Sequence, residues 1–209
     1  NIISIKNLQQ RSLSFRLHID KKDDPLFPKS GYLLDVYFKS TGYLLGGERD
    51  YYKIDFSINN FFMISNKSVL ATRFKIGRLW FWEETYSDYS YEKFYLGGSA
   101  NMRGWEILKY STVNDLGLIP IGGTHRFLTN LEFRNQINQD LGFTLFFDGG
   151  ILGGNFDELK NSRLGWDIGF GITISTPLGP VRLDYAIPNI DNKVIFSNGK
   201  INFGVQYLF

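Results

Sequence analysis

Apolar and polar residues alternate along most of this chain. The first run reads Leu13-Ser14-Phe15-Arg16-Leu17-His18-Ile19-Asp20. Successive side chains of a β-strand point to opposite faces, so such a run predicts a strand with one apolar and one polar face. Eight further runs follow at 32–38, 52–58, 70–76, 127–133, 143–147, 164–174, 181–187 and 201–209. No stretch has the spacing of an amphipathic helix, so the chain is predicted to be all-β and antiparallel.

A long segment at 82–124 interrupts the alternation. Loops of this length are uncommon unless they are functional or disordered. The centre of the segment reads Gly97-Gly98-Ser99-Ala100-Asn101-Met102-Arg103-Gly104-Trp105. We expect an inserting tip, because glycine frees the backbone and the lone Arg103 needs carboxylate partners. Glu132 and Asp148 on later predicted strands are the candidates; the alternative is that Arg103 is an ordinary exposed loop residue.

Composition narrows the function classes. Hydrophobic residues make up 43% of the chain and aromatic residues 17%, yet the mean hydropathy is −0.17. The apolar residues are therefore dispersed among polar ones, and no run is long enough for a membrane helix. The net charge is +2 and no lysine or arginine run is present, so we expect no nucleic-acid partner. The absence of cysteine excludes disulfides, thiolate metal sites and thiol catalysis.

The alternation fits either a soluble β-sandwich, whose apolar face is internal, or a membrane β-barrel, whose apolar face contacts lipid. Three features favour the barrel. The predicted strands have about nine or more residues, as a tilted bilayer span requires. Aromatic residues end the apolar faces, where barrels have interfacial girdles: Tyr32, Phe38, Trp80, Phe127 and Tyr207. The polar faces carry charges of both signs that a barrel interior can pair: Arg126, Glu132, Arg134, Arg182 and Asp184.

The predicted fold is an antiparallel transmembrane β-barrel of about eight to ten strands with one long extracellular loop. Residues 1–209 are predicted to be a single domain, with an N-terminal segment at 1–12 and the loop at 82–124. Barrels of this kind have an even number of strands. Either residues 2–6 add a short tenth strand, or the run at 13–19 lies outside a closed eight.

Five stretches resemble, in the same order, motifs of the BamA-type outer-membrane assembly-factor superfamily, also called bacterial surface antigen barrels. They are Phe27-Pro28-Lys29-Ser30-Gly31, Met102-Arg103-Gly104-Trp105, Phe146-Phe147-Asp148-Gly149-Gly150, Ser175-Thr176-Pro177-Leu178-Gly179-Pro180-Val181-Arg182-Leu183-Asp184-Tyr185-Ala186 and Asn202-Phe203-Gly204-Val205-Gln206-Tyr207-Leu208-Phe209. The first resembles a periplasmic F-P-x-x-G turn and the second the V-R-G-F/Y tip of the sixth extracellular loop. Each motif is weak alone, but together they cover residues 23–209 and are specific.

The resemblance implies how the loop tip is held. In the family the tip arginine pairs with carboxylates on neighbouring strands, which here would join Arg103 to Asp148 and Glu132. Gly104 would let the backbone approach closely, and Trp105 would be the aromatic residue of the tip. The last stretch resembles the β-signal by which assembly machinery recognises barrels; its residues here are Asn202, Gly204, Tyr207 and Phe209.

The function that the resemblance implies is outer-membrane protein assembly, protein translocation or membrane perturbation in a bacterial outer membrane. The alternative is a passive structural barrel or narrow pore that keeps only the folding motifs. Expected partners are outer-membrane lipids, client barrel proteins and a second copy of the chain. No enzyme activity, cofactor or metal is expected, since His18 and His125 lie on different predicted strands and no nucleophile elbow or phosphate loop is present.

Two departures from the family change this expectation. The sequence has no counterpart of the N-terminal periplasmic (POTRA) domains, and it supplies fewer strands than the family's barrel. An eight-stranded barrel is just wide enough inside for side chains, so the loop is not expected to enter it. Either the loop packs over the mouth, or two chains pool their strands, or the sequence is the carboxyl-terminal part of a longer protein.

Overall fold

One antiparallel sheet dominates the computed structural model of the chain, which describes residues 9–81, 90–108, 110, 120–162, 164–177, 179–190 and 193–209. Within these residues the strands are β1 Ser12–Asp20, β2 Gly31–Thr41, β3 Tyr51–Ser65, β4 Ser68–Phe81, β5 His125–Gln136, β6 Leu141–Gly153, β7 Gly165–Thr176, β8 Gly179–Ile190, β9 Lys193–Val194 and β10 Lys200–Val205. A short helix, α1, spans Phe156–Asn161, and 3-10 turns span Tyr43–Leu45, Ser90–Glu92 and Phe196–Asn198. No helix in the described ranges is both long and apolar enough to span a membrane.

The nine alternating runs correspond to the nine longer strands, β1–β8 and β10. The all-β antiparallel fold is therefore confirmed. β1 pairs with β2 from Ser12 to Asp20, so the run at 13–19 is a strand of the sheet. The described strands do not form the closed eight that would exclude it. Residues 2–6, the other candidate for an extra strand, lie outside the described part. Within the described residues a tenth strand, β9, pairs with the end of β8.

Within the described residues, β1 and β10 lie at the two ends of the main strand order. Strands from β1 to β8 are neighbours in sequence order, and β10 follows β8. Among the described residues, β1 and β10 are not paired with each other. Connections of two to four residues join β3 to β4, β5 to β6 and β7 to β8 at one end of the sheet, called here the short-turn end. The interrupting segment 82–124 connects β4 to β5 at the opposite end, the long-loop end.

The outer face of the sheet is apolar and the inner face is polar. Leu145 and Phe203 on the outer face are 52% and 66% exposed. Glu132 and Asp148 on the inner face are fully buried. A soluble sandwich would bury the apolar set instead, whereas a membrane barrel turns it toward lipid. The distribution of burial therefore excludes the sandwich alternative.

The last four residues leave the sheet, which corrects the prediction that the final run continues to Phe209. β10 ends at Val205, and Gln206 has a φ of 71°, so the chain turns toward the inner face. Tyr207 was expected in the outer aromatic girdle; instead the guanidinium of Arg134 lies 3.9 Å from its ring centre. Arg134 also donates to the backbone oxygen of Phe209 at 3.0 Å. Buried cations on the inner face thus hold this tail inside.

Candidate functional site

On the inner face, polar side chains of neighbouring strands lie side by side at the same level along the strands. Asn130 on β5 lies opposite Asp148 on β6, and Asp148 lies opposite Asp167 on β7. Glu132 faces the same side as Asn130, because it follows two residues later and strand side chains have a period of two. Asn130, Glu132 and Asp148 lie near the middle of their strands, whereas Asp167 is the third residue of β7. The inner face thus presents carboxylates far from both ends of the sheet.

The loop tip is a compact turn from which Arg103 projects. The N–H of Gly98 donates to the carbonyl oxygen of Met102 at 3.1 Å, and the N–H of Gly97 donates to Oδ1 of Asn101 at 2.7 Å. Gly97 and Gly98 have φ angles of 102° and 97°, which glycine adopts without strain. Hydrogen bonds within the loop therefore fix the shape of the tip.

Arg103 is fully buried and contacts three carboxylates. Its Nε and Nη2 donate to the two oxygens of Asp148, each at 2.8 Å. Its Nη1 donates to Oε1 of Glu132 at 2.8 Å and lies 3.3 Å from Oδ2 of Asp184. The guanidinium carbon is 3.4 Å from the ring centre of Phe146. A bidentate arginine–carboxylate pair of this kind supplies both charge and directional geometry.

The tip lies against the inner face, which corrects the expectation that the loop cannot enter. That expectation assumed eight strands closed into a narrow barrel, whereas the described sheet has ten strands with β1 and β10 apart. A Cβ added to Gly104 would lie 2.7 Å from Cβ of Asp167, so only glycine allows this approach. The rings of Trp105 and Tyr110 meet edge-on with centres 4.9 Å apart. Parts of the loop at 82–89 and 111–119 lie outside the described residues.

Further charged and amide side chains extend the network around Arg103. Arg134 Nε donates to Glu132 Oε2 at 2.8 Å, so Glu132 bridges two arginines. Asn130 donates to Asp148 Oδ1 at 2.7 Å and to the backbone oxygen of Asn101 at 2.6 Å. Buried charges persist when geometry and additional hydrogen bonds compensate them. Here each carboxylate that holds Arg103 has a second donor.

A second loop anchor, Glu92, was not predicted. Its Oε1 accepts hydrogen bonds from Nζ of Lys39 at 2.6 Å and from the hydroxyl of Tyr51 at 2.7 Å. Its Oε2 accepts one from Nζ of Lys53 at 3.3 Å. The signal available in the sequence was the pair of lysines on the polar faces of β2 and β3. Their partner was not evident, because Glu92 is about forty or more residues away in an irregular loop.

Apolar loop side chains pack against glycines of the inner face. A Cβ added to Gly77 would lie 2.6 Å from ring atoms of Phe94, and one added to Gly150 would lie 2.8 Å from side-chain atoms of Leu96 and Met102. These glycines leave the space that the loop fills. The buried cluster at this interface consists of Tyr51, Leu79, Phe94, Leu96, Met102, Tyr110, Leu128 and Leu152.

The residues that resemble the β-signal occupy two environments. Asn202 on β10 donates to the backbone oxygen of Arg103 at 3.0 Å, which connects the last strand to the loop tip. A Cβ added to Gly204 would lie 3.0 Å from Nη2 of Arg182. Tyr207 and Phe209 lie in the inward tail described above. Recognition by assembly machinery remains a prediction for these residues.

The histidines are far apart. His18 Nδ1 lies 2.9 Å from Oδ2 of Asp35, and His125 Nδ1 lies 2.9 Å from Oγ1 of Thr124. Across the described ranges, no group of three or more histidine, cysteine, aspartate or glutamate side chains is arranged to hold a metal ion. Both histidines therefore have the local polar partners expected of inner-face or rim residues.

Comparison with known proteins places this arrangement in a family. The sequence model of the Omp85 superfamily domain matches residues 5–206. The chain belongs to the Omp85 superfamily. It is 26% identical over 197 residues to the outer membrane protein assembly factor BamA of Nitratidesulfovibrio vulgaris, covering 88% of the chain and 24% of that protein. It is 28% identical over 213 residues to the sorting and assembly machinery component 50 homolog A of Xenopus laevis, covering 94% of the chain and 44% of that protein.

A solved structure shows the same fold. The Omp85 chain superposes on the crystal structure of BamA from Haemophilus ducreyi lacking POTRA domains 1–3 with a TM-score of 0.72. The match has 18% sequence identity and covers 92% of this chain and 40% of the other. The resemblance to the BamA-type superfamily and the barrel-type fold are thus confirmed. Omp85 barrels lie in bacterial or organellar outer membranes, and the assembly factors of the family are not enzymes. The chain spans less than half the length of the curated relatives it matches.

Proposed function

We propose that this Omp85 chain is the barrel domain of a factor that assembles β-barrel proteins in a bacterial outer membrane. The printed names of its relatives support this, since one is an outer membrane protein assembly factor and another a sorting and assembly machinery component. Protein translocation needs a passage through the barrel. The loop tip and the tail occupy much of the inner face, so assembly is the role that we favour.

The observation that carries the proposal is the open edge at β10. β10 pairs with β8 through only 6 residues, although β8 has 12. Unpaired backbone N–H and C=O groups are costly in hydrocarbon, so a strand edge in a membrane needs a partner. An exposed edge is also a template on which an extended segment can add as a new strand. A client barrel strand meets both requirements.

The test cross-links the edge strands β1 and β10. Phe15 on β1 and Phe203 on β10 face outward, and the chain has no cysteine that would interfere with added thiols. In liposomes, the reduced Phe15→Cys/Phe203→Cys variant should accelerate folding of an unfolded client barrel relative to empty vesicles. Joining the thiols should abolish the acceleration, and reduction should restore it. Each single-cysteine variant, treated with the same cross-linker, is the control.

A passive barrel is the second candidate, and the filled inner face favours it over a pore. Arg103, Met102 and Leu96 of the loop are each fully buried there. In the liposome assay, a passive barrel would give the client folding rate of empty vesicles under both reduced and cross-linked conditions. That result would contradict the assembly proposal.

We also propose that two copies of the chain pair through their edge strands while no client strand occupies β10. Support comes from the exposure of β1: the inward-facing side chains of Arg16 and His18 are 66% and 53% exposed. These polar groups would lie in the interior if a second copy supplied further strands. The same double-cysteine variant tests this, because β1–β10 pairing between copies gives a cross-linked dimer on a denaturing gel. A cross-linked monomer alone would contradict the pairing.

A further inference from the structure

The outer surface is interrupted by a step between β9 and β10. β9 pairs with Asn189 and Ile190 at the long-loop end of β8, whereas β10 begins opposite Ala186. The chain between them forms the 3-10 turn Phe196–Asn198. The hydroxyl of Tyr185 donates to the backbone oxygen of Phe196, and the two ring centres are 4.9 Å apart. This contact holds the turn as a wall beside the outer face of β8.

A groove of about 350 Å³ lies beside this wall. Its side-chain lining is apolar: Phe170, Ile172, Leu183, Tyr185, Phe196 and Ile201. Asp184 also borders it, but the side chain of Asp184 is buried on the inner face, where it contacts Arg182 and Arg103. Among the described lining side chains that face the groove, the one polar group is the Tyr185 hydroxyl, and it is bonded to the backbone oxygen of Phe196. The groove therefore offers shape and apolar surface without a polar recognition group.

The position of the groove decides what fills it. Ile172 and Leu183 are register partners in the short-turn half of β7 and β8, and both are more than half exposed on the outer face. In an outer-membrane barrel this face contacts hydrocarbon. Water does not fill such a space, because an ordered water needs two to four polar partners. An acyl chain fills it and gains packing contacts on several sides that a flat belt does not provide.

We propose that this groove binds one acyl chain of a phospholipid and that chain packing, not the headgroup, determines binding. The groove runs from Phe196 in the long-loop half to Ile172 and Leu183 in the short-turn half. The short turns of outer-membrane barrels face the periplasm, so the end of the groove at Ile172 and Leu183 opens toward the inner leaflet, which contains phospholipid. The volume is at the small end of ligand pockets, which suits part of one chain rather than a whole lipid. The site is independent of the assembly role.

Photo-crosslinking tests the proposal. The protein is reconstituted with phosphatidylethanolamine that carries a diazirine within a palmitoyl chain, illuminated, and mapped by peptide mass spectrometry. Label should concentrate on peptides containing Phe170, Leu183 and Phe196 rather than spread over the outer face. Ile201→Trp fills the groove and should remove this concentration of label. Ile76→Trp, an outward-facing position on β4, is the matched control and should keep it.

Two further arms keep the test decisive. Phe196→Ala removes the wall instead of filling the groove, and it should also lose the concentrated label. If Ile201→Trp does not fold, the labelling of Phe196→Ala tests the site in its place. Phosphatidylglycerol with the same photoreactive chain should label the groove as strongly as phosphatidylethanolamine. Uniform labelling of the outer face, or retained label in folded Ile201→Trp and Phe196→Ala proteins, would overturn the site. Labelling with one headgroup alone would overturn selection by the chain.

Discussion

At the scale of single residues, Arg103 is the side chain whose environment differs most from that of an ordinary loop arginine. Its guanidinium is shared by Asp148 and Glu132, and all three side chains are fully buried. The charges stabilise one another only as a set, because each is removed from water. The pairing residues could be named from the sequence, since the tip arginine and the two carboxylates each stand in a recognisable motif. The third carboxylate, Asp184, meets the tip only through the three-dimensional fold, so the sequence does not assign it.

Replacing Arg103 should therefore cost far more than replacing a surface arginine. Arg103→Ala removes the cation that Asp148 and Glu132 share, so both buried carboxylates lose part of their compensation, and the free energy of unfolding should fall by about 3–5 kcal/mol. Arg16→Ala is the control, since Arg16 also pairs with an aspartate, Asp35, but is 66% exposed and should change stability little. Denaturant unfolding in detergent micelles measures both. Equal effects of the two substitutions would show that Arg103 does not hold the loop.

Charge reversal separates loop docking from global stability. Arg103→Glu should release the tip, because it places a fourth carboxylate beside Glu132 and Asp148. Protease cleavage of the loop should then become faster in the folded protein. Adding Asp148→Arg to Arg103→Glu restores an opposite-charge pair and should slow cleavage again. If Arg103→Glu leaves both cleavage and heat resistance on gels unchanged, the loop–strand contact is not made in solution.

At the scale of elements, the strands follow from local pattern but the docking of the loop does not. A period of two in neighbouring residues is enough to predict β5 or β7. The contacts of Phe94 with Gly77 and of Glu92 with Lys39 join residues far apart in sequence, and no local pattern encodes them. The tail shows the same limit: Tyr207 continues the alternation, yet Arg134 draws it inward. Tertiary contacts override local periodicity at both places.

The fit between Phe94 and Gly77 gives an element-scale prediction. Gly77→Ala puts a methyl group where the ring of Phe94 lies, and overpacking of this kind costs about 1–3 kcal/mol. The loop should therefore detach in part, with faster hydrogen exchange in the segment from Ser90 to Phe94. Adding Phe94→Ala removes the clash, so the segment from Ser90 to Phe94 should exchange no faster in the double variant than in Phe94→Ala alone. A Gly77→Ala protein with unchanged exchange would contradict the packing described here.

The Glu92 anchor should respond to acid. Burial by itself raises the pKa of Glu92, but hydrogen bonds from Lys39 and Tyr51 and the charge of Lys53 outweigh it, so the pKa lies below its usual value of 4.5. A carboxyl group with a lowered pKa stabilises the folded state above its unfolded pKa and loses that contribution as pH falls through the folded value. Loop protection in hydrogen exchange should therefore hold at neutral pH and weaken below about pH 4.5.

The matched variant for this acid response is Glu92→Gln. Glutamine keeps the size of the side chain but carries no charge for Lys39 and Lys53, so loop protection should be weaker at neutral pH and lack the acid step. A variant that still shows the step would place the titrating group elsewhere.

At the scale of the whole molecule, charged side chains are buried and apolar side chains are exposed, which is the opposite of their distribution in a soluble protein. Charges such as Arg182 and Asp184 pair inside, while Phe170 and Ile174 are exposed outside. Sequence alternation could not decide this orientation by itself, because the same period fits a sandwich. The choice followed from strand length, aromatic positions and charges of both signs on the polar faces. The buried ionic network shows directly that the polar face of the sheet is its inner face.

Depth in the membrane gives a test of this orientation. Leu131 lies near the middle of β5 and Ile137 just beyond its end, and their exposures are similar, 43% and 51%. Arginine on the lipid face of a barrel costs about 2–4 kcal/mol at the midplane and about 0–1 near the interface. Leu131→Arg should therefore lower the free energy of unfolding in lipid vesicles far more than Ile137→Arg does, as measured by urea titration of tryptophan fluorescence. If water covered the outer face, both substitutions would be tolerated equally, since both side chains are exposed. Equal tolerance would refute a lipid-facing belt, whatever the similarity of the fold to Omp85 barrels.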